Sequence, residues 1–293
     1  VATEGLPAAR AASYYARRAE AFLAAERPAA STWLLANKRS SVARIPYGVV
    51  GVISPWNYPF AIPFSEVVMG LLAGNGVVLK AASETQMVGR ALEACIGAGG
   101  FPEGLFGYVN LPGREAGAAM LSAGVDKLFF TGSVSVGKTL MAEAAKTLTP
   151  LVLELGGNDA MLVCEDADLE RAASGAVWAG FQNAGQSCGG VERVYVHESV
   201  YEPFLQALKR RVESLRVGPD RAFDVDVGSM TTERQLHTVR AHVQDALAQG
   251  ATVFAQAPAP AGPGLFHPAM VFTDVDHSMR VMREETFGPV LGV

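Results

Sequence analysis

The sequence predicts an α/β fold built around a parallel sheet, and three observations predict it. Short, continuous, β-branched apolar runs recur at residues 49–53, 76–80, 106–109 and 127–130. Between and after them lie stretches of helical length, at residues 63–73, 84–98, 114–122 and 136–148. Runs that stay apolar instead of alternating belong to strands covered on both faces, and helical connections return the chain for parallel pairing. Third, the glycine-rich turn Phe130-Thr131-Gly132-Ser133-Val134-Ser135-Val136-Gly137-Lys138 follows a strand and opens a helix. That is the context a phosphate-cradling loop requires. Sheets of this class bind nucleotides at the carboxyl ends of their strands.

The elements follow in order. Residues 1–30, rich in Ala and Arg at helical spacing, predict one long amphipathic helix. The strand–helix alternation then runs from Gly48 to Gly156, and Glu154 stands inside an apolar strand that ends in the Gly156-Gly157 turn. A domain of residues 1–156 is expected, followed by a second α/β domain of residues 157–293. In the second, residues 160–164 and 193–196 predict strands. Residues 168–183, opened by acidic side chains, predict a helix, as do 199–215 and 231–249. Residues 251–254 predict a further strand, and the Pro-, Gly- and Ala-rich residues 257–264 a surface loop. The chain begins at Val1 without a Met and stops at Val290-Leu291-Gly292-Val293, which reads as a strand cut through and leaving an edge. A fragment is expected.

Composition narrows the function. The 293 residues suffice for one large domain or two medium ones. With 49% hydrophobic and 18% charged residues the chain is globular in composition. A formal net charge of −5 argues against nucleic-acid binding by bulk electrostatics. No apolar run reaches the ~18 residues of a membrane span. Three scattered cysteines form neither a disulfide framework nor a zinc site, which fits a reducing, cytoplasmic compartment. The five histidines show no metal-ligand spacing, so no metal is expected.

The candidate chemistry lies in three stretches. Cys188 closes Phe181-Gln182-Asn183-Ala184-Gly185-Gln186-Ser187-Cys188, a polar setting that reads as a helix start. A free cysteine is usually a buried structural thiol. Cys95, in Ala91-Leu92-Glu93-Ala94-Cys95-Ile96, reads as core, and Cys164 ends an apolar strand. Glu154, in Leu153-Glu154-Leu155-Gly156-Gly157, is costly inside an apolar strand unless paired, exposed at a strand end or used; burial would raise its pKa toward that of a general base. Asn57, in Pro55-Trp56-Asn57-Tyr58-Pro59-Phe60, reads by itself as a turn residue beside proline. A thiolate nucleophile, an amide donor for an oxyanion and a carboxylate base together serve attack on a carbonyl. The turn ending in Gly137-Lys138-Thr139 can also be read as a P-loop, but it is one small residue short and no acidic metal-binding strand follows.

These stretches, in this order, resemble the aldehyde dehydrogenase superfamily. The resemblance covers nearly the whole chain and implies a Rossmann-like cofactor domain followed by an α/β catalytic domain. It makes Cys188 the nucleophile, Glu154 the base, and Asn57 with the Cys188 N–H the oxyanion donors. It implies NAD or NADP as cofactor, contacted by Ile53, Ser54, Trp56, Lys80, Ser83, Gly113, Gly117, Phe130, Gly132, Ser133, Val136, Leu155 and Gly156. From the second domain it adds Gln235 and, in Glu284-Glu285-Thr286-Phe287-Gly288-Pro289, Glu285 at the ribose hydroxyls and Phe287 beside the nicotinamide. Strict NAD enzymes of the family often carry Glu where this chain has Ser83, so tolerance of NADP is implied; Ala81 replaces the usual Pro after the lysine.

The implied reaction is oxidation of a small-molecule aldehyde to an acid through a Cys188 thioester. The residues leave three alternatives: a coenzyme-A-acylating relative, which generally lacks a base at the place of Glu154; a non-catalytic protein of the same fold; and an inactive fragment. Residues 33–47 resemble part of the family's oligomerisation hairpin, which implies a homo-oligomer in the full-length protein.

Overall fold

The computed structural model describes residues 3–220, 222–258, 260 and 263–293. The chain divides into two units, Val1–Leu155 and Gly156–Val293.

In the first unit, helix α1 (Gly5–Leu23), with Ala8 buried, is shorter than the helix expected over residues 1–30: it ends at Leu23, residues 24–30 are not helical, and residues 1–2 lie outside the described residues. Residues 24–47, part of which resembled a hairpin, contain one 3-10 turn (Trp33–Leu35) and a single antiparallel bridge between Glu26 and Val42. The Arg44 guanidinium donates to the Ala24 carbonyl (3.0 Å) and pairs with Glu26. Trp33 is 84% exposed.

Strands β1 (Val49–Ile53), β2 (Gly76–Lys80), β3 (Phe106–Tyr108), β4 (Lys127–Gly132) and β5 (Leu151–Leu155) then alternate with helices α2 (Ala61–Leu72), α3 (Gln86–Ala98), α4 (Gly113–Ser122) and α5 (Val134–Ala144). All four strand pairs are parallel, in the order β3-β2-β1-β4-β5. Two apolar clusters account for the unbroken hydrophobic runs. One contains Val50, Val52, Val67, Leu79 and Leu92, the other Ile53, Met120, Leu128 and Leu140.

Two expectations need correcting here. Helix α2 starts at Ala61 instead of residue 63, because Pro63 falls in its first turn, where a missing N–H removes no intrahelical bond. Cys95 is exposed, not core. The buried side of α3 runs through Leu92 and Ile96, four apart, and position 95 is turned about 100° away from 96.

The second unit contains β6 (Asp159–Val163), α6 (Leu169–Phe181), β7 (Val191–Val196), α7 (Tyr201–Glu213), α8 (Glu233–Ala248), β8 (Thr252–Gln256), β9 (Met270–Thr273) and β10 (Val290–Gly292). Its sheet order is β6-β7-β10-β9-β8, parallel except for the antiparallel pair β8–β9. Strand β9, all four residues buried, was not anticipated. Strand β10 is not the exposed edge its sequence position implied: it lies in the middle of the sheet, with Leu291 fully buried. The edges are β6 and β8. Asp168 caps α6 by accepting from the Arg171 N–H (3.1 Å), and Thr232 caps α8 through the Gln235 N–H (3.1 Å). Of the expected surface loop 257–264, residues 259, 261 and 262 lie outside the described residues. Ala257 is buried and its N–H bonds to the Ala269 carbonyl (2.9 Å).

Candidate active site

Sheet topology does the gathering in the first unit. The strand order reverses between β1 and β4, and such a switch opens a crevice at the strands' carboxyl ends. Most of the residues assigned to the cofactor from sequence stand on that edge. Ile53 ends β1 and Ser54 follows it; Lys80 ends β2; Phe130 and Gly132 end β4; Leu155 ends β5. Register fixes them relative to one another: Ile53 pairs with Lys80 on one side and Phe130 on the other.

The Ser54 N–H bonds to the Lys80 carbonyl (3.1 Å), while Ser54 Oγ is buried without a hydrogen-bond partner. Lys80 is 4% exposed; burial lowers its pKa, and the charge of Glu84 works the other way. A Cβ built on Gly113, the first residue of α4, would lie 3.6 Å from Lys80 Nζ, so the amine sits beside that helix start. Gly117 lies one turn further, packed under Leu140. Ser83 is exposed in the 3-10 turn after β2. Ser133, the N-cap residue of α5, makes no capping bond; its hydroxyl lies 3.2 Å from that of Ser135. Val136 is exposed in the first turn of that helix. An orphaned buried hydroxyl, an amine and an uncapped helix start on one sheet edge fit an anionic dinucleotide.

Trp56 and Asn57 follow β1, Asn57 being buried. The Glu4 carboxylate accepts from the N–H groups of Phe60 (2.9 Å) and Ala61 (3.0 Å), which ties α1 to the start of α2. Glu154 departs from expectation. Its side chain is exposed near the end of β5, so the strand solves the cost of a carboxylate by solvating it.

The largely enclosed acid of this region, Glu66, is one the sequence did not single out. Glu66 of α2 accepts from Thr131 Oγ1 (3.3 Å), and its other oxygen is buried without a partner. Burial pushes its pKa up to about 7; the Thr131 bond opposes this and the charge of Glu154 adds to it. Thr131 stands opposite Glu154 in the β4–β5 register. The signal that could have found Glu66 is a lone carboxylate amid the apolar residues of 61–72.

In the second unit Cys188 sits on a turn closed by the Gly190 N–H to the Ser187 carbonyl (3.0 Å), and it is exposed. The turn leads into β7, so this is not a helix start. Before it the chain makes three successive left-handed residues, Asn183 (φ 51°), Ala184 (φ 55°) and Gly185 (φ 71°). For the two non-glycine residues this costs about 1 kcal/mol each. Gln186, 1% exposed, offsets that cost by holding the loop. Its Nε2 donates to the Asn183 carbonyl (2.9 Å) and its Oε1 accepts from the Thr231 N–H (2.9 Å). A Cβ on Gly185 would fall 2.1 Å from the Gly288 carbonyl oxygen, so the thiol's loop rests directly on the backbone after Phe287.

Glu285, half-buried, lies over Gly156, where a Cβ would come 2.0 Å from its Oε1. Burial raises the Glu285 pKa; the Gly157 N–H opposes that and Asp159 reinforces it. Gln235, expected at the ribose, has its amide nitrogen on the carbonyls of Thr286 (2.9 Å) and Phe287 (3.2 Å). Sequence reading also passed over Glu192, buried on β7. Burial pushes its pKa up to about 7, against the opposing N–H donors of Thr286 and Phe287. Among the described residues no group of three His, Cys, Asp or Glu is placed to hold a metal, and no helix is long and apolar enough to cross a membrane.

A parallel sheet with a switch-point edge is thus followed in the chain by a mixed α/β unit in which the exposed Cys188 sits on a tightly held turn. The sequence pattern of the aldehyde dehydrogenase family matches residues 2–293, and the chain belongs to that family. It is 41% identical over 281 residues to the 4,4'-diapolycopene aldehyde oxidase of Methylomonas sp, covering 96% of this chain and 52% of that protein. The chain spans about half the length of the curated relatives it matches. Among solved structures it is similar to an NADP-dependent enzyme of E. coli (34% identity, TM-score 0.91, 97% of this chain and 59% of that one). It is also similar to the NAD+ complex of a Bacillus cereus aldehyde dehydrogenase (33% identity, TM-score 0.88, 96% and 56%).

Proposed function

We propose that the protein carrying this chain oxidises an aldehyde to a carboxylic acid with NADP+ or NAD+, and that the exposed thiol of Cys188 on its braced turn is the nucleophile. That exposed, positioned thiol is the observation that carries the reading: of the three cysteines it alone sits in a loop fixed by a buried side chain. The cofactor's pyrophosphate and adenosine would be held at the first unit's sheet edge by Ser54, Lys80, Gly132 and Ser133. Glu285 and Phe287 would meet its nicotinamide ribose. A nicotinamide bound there supplies the hydride acceptor.

The Cys188 thiolate adds to the carbonyl carbon, and the Asn57 amide with the Cys188 N–H takes the charge of the resulting oxyanion. The oxyanion re-forms a carbonyl as hydride leaves, so Cys188 carries a thioester. Glu154 accepts a proton from water, the hydroxide adds to the thioester, and the acid departs as the thiolate returns. An exposed Glu154 suits this last step, since it is already in contact with water.

Ser83 supports a role for NADP+. A Glu there would accept the ribose hydroxyls and repel a 2′-phosphate, whereas a serine near Lys80 leaves a cation for it. Members of the family assemble as homo-oligomers, and the exposed Trp33 and Ile45 of residues 24–47 suit a subunit contact.

The test is NAD(P)H formation at 340 nm with a panel of aldehydes, beside Cys188→Ala. Turnover lost in that variant is the expected result. Turnover that survives it refutes the nucleophile, and cofactor binding without turnover by the wild type points to an incomplete catalytic apparatus.

A further inference from the structure

The segment that carries Glu285 and Phe287 is held from two sides. On one, Glu192 of β7 takes both of its backbone donors. The Thr286 N–H reaches Oε2 at 2.7 Å and the Phe287 N–H reaches Oε1 at 2.8 Å. On the other, the Gln235 amide of α8 donates to the carbonyls of the same two residues, at 2.9 and 3.2 Å. Asn158 extends the frame: its Nδ2 donates to Glu192 Oε2 (3.0 Å) and to the Glu284 carbonyl (2.9 Å). His242 Nδ1 lies 3.0 Å from Thr286 Oγ1, so the threonine side chain is anchored as well.

This degree of bracing answers a specific problem. Phe287 adopts φ 50°, a conformation a bulky aromatic residue avoids, and Thr286 beside it is 1% exposed. Backbone left in such a shape without partners would relax. Glu192 is a carboxylate with 4% exposure, and among the described residues its hydrogen bonds are all to N–H groups, none of them cationic. Burying a carboxylate for two backbone donors is expensive unless the geometry it imposes is needed.

We propose that Glu192 and Gln235 are positioning residues that clamp residues 286–287, so that Glu285 and Phe287 are already arranged for a dinucleotide before it binds. The inference rests on the cofactor role given to Glu285 and Phe287 above. It assigns Gln235 to the protein backbone, and it makes Glu192 a determinant of cofactor affinity although it need not touch the cofactor. Pre-arrangement raises affinity by removing the ordering cost from the binding step.

Amide hydrogen exchange tests the clamp independently of turnover. In Glu192→Gln, one acceptor oxygen is replaced by an NH2 that faces a backbone N–H. The Thr286 and Phe287 amides should then exchange at least about tenfold faster, the equivalent of losing one charge-assisted bond, while the amides of β9 keep their rates. Wild-type rates at 286 and 287 overturn the proposal. Gln235→Ala, at a partly exposed position, serves as a second variant should Glu192→Gln fail to fold, with the same two amides expected to loosen.

NADP+ titration by tryptophan fluorescence forms the other arm. Affinity should fall roughly tenfold in either variant, with kcat at saturating cofactor changed less than about threefold. A fall in kcat with unchanged affinity overturns the assignment. A wild-type protein that binds neither NADP+ nor NAD+ sinks the functional reading, and the amide exchange then still reports whether the clamp exists. The two failures are therefore distinguishable.

Discussion

The two units position their reactive groups by different means. In the first, backbone topology does most of the placing: Ile53, Lys80 and Phe130 are neighbours because β1, β2 and β4 are paired in register. The N-cap residues of α3, α4 and α5 make no capping side-chain bond. In the second unit the groups of interest sit in loops, and buried polar side chains hold those loops. Gln186 fixes the turn of Cys188, while Glu192 and Gln235 fix the segment of Glu285 and Phe287. Its helices α6 and α8 are capped by Asp168 and Thr232. A sheet edge is tolerant, since its geometry is shared among many backbone bonds. A loop braced by a few side chains is exact but fragile.

The largest test of that contrast is Gly185→Ala. The new methyl would meet the Gly288 carbonyl at 2.1 Å with the backbone at φ 71°, so urea unfolding of the second unit should lose about 3 kcal/mol or more. A loss under about 1 kcal/mol would show that the loop adapts as a sheet edge does.

Glu66→Gln probes the first unit, where burial already works against a charge. A carboxyl with a folded pKa of about 7 binds its proton more tightly folded than unfolded. Its favourable contribution is therefore complete below the unfolded value near 4.5 and is lost as pH rises through 7. Relative to wild type, Glu66→Gln should gain about 2 kcal/mol between roughly pH 5 and pH 8. A pH-independent difference would contradict the buried, proton-retaining acid.

Ser83→Glu should shift preference from NADP+ toward NAD+ by about tenfold, roughly 1.4 kcal/mol, read as the ratio of kcat/KM values. An unchanged ratio would remove Ser83 from cofactor choice. Smallest is Thr232→Ala, which deletes the cap of α8 and should cost about 1 kcal/mol in thermal or urea unfolding. The same change at Ser133, whose hydroxyl makes no cap, should be close to neutral.

The same contrast explains what the sequence could disclose. Strands such as Val49–Ile53 and Gly76–Lys80 are short apolar runs with helices between them, and periodicity finds them together with the residues at their ends. The motif around Cys188 was legible for the same reason that it is compact: every part of it is local. Glu192 and Gln235 were not read as a clamp because their partners, Thr286 and Phe287, lie far along the chain and are bonded through backbone atoms, which carry no residue-type signal. Burial of the two carboxylates was not legible: Glu154 was expected to be costly inside its strand, and Glu66 was not singled out. The strand carboxylate is exposed and the helix carboxylate is largely enclosed, a distinction that depends on which face each element turns inward. Strand β9 was missed although Met270-Val271-Phe272-Thr273 is an apolar run between Pro268 and Asp274; four residues are too few to separate a strand from a loop by pattern.

The place of β10 also sets an order of events during synthesis. In the first unit β1 precedes the other four strands of its sheet in sequence and lies at their centre, so they can add outward from it. In the second, β10 follows β6 to β9 in sequence yet lies between β7 and β9. Until residues 290–292 have left the ribosome, the pairs β6–β7 and β8–β9 have no strand to join them, and their inner edges stay open to other chains. The first unit's sheet can grow outward from β1, whereas the two halves of the second unit's sheet are joined only when β10 takes its place as their keystone.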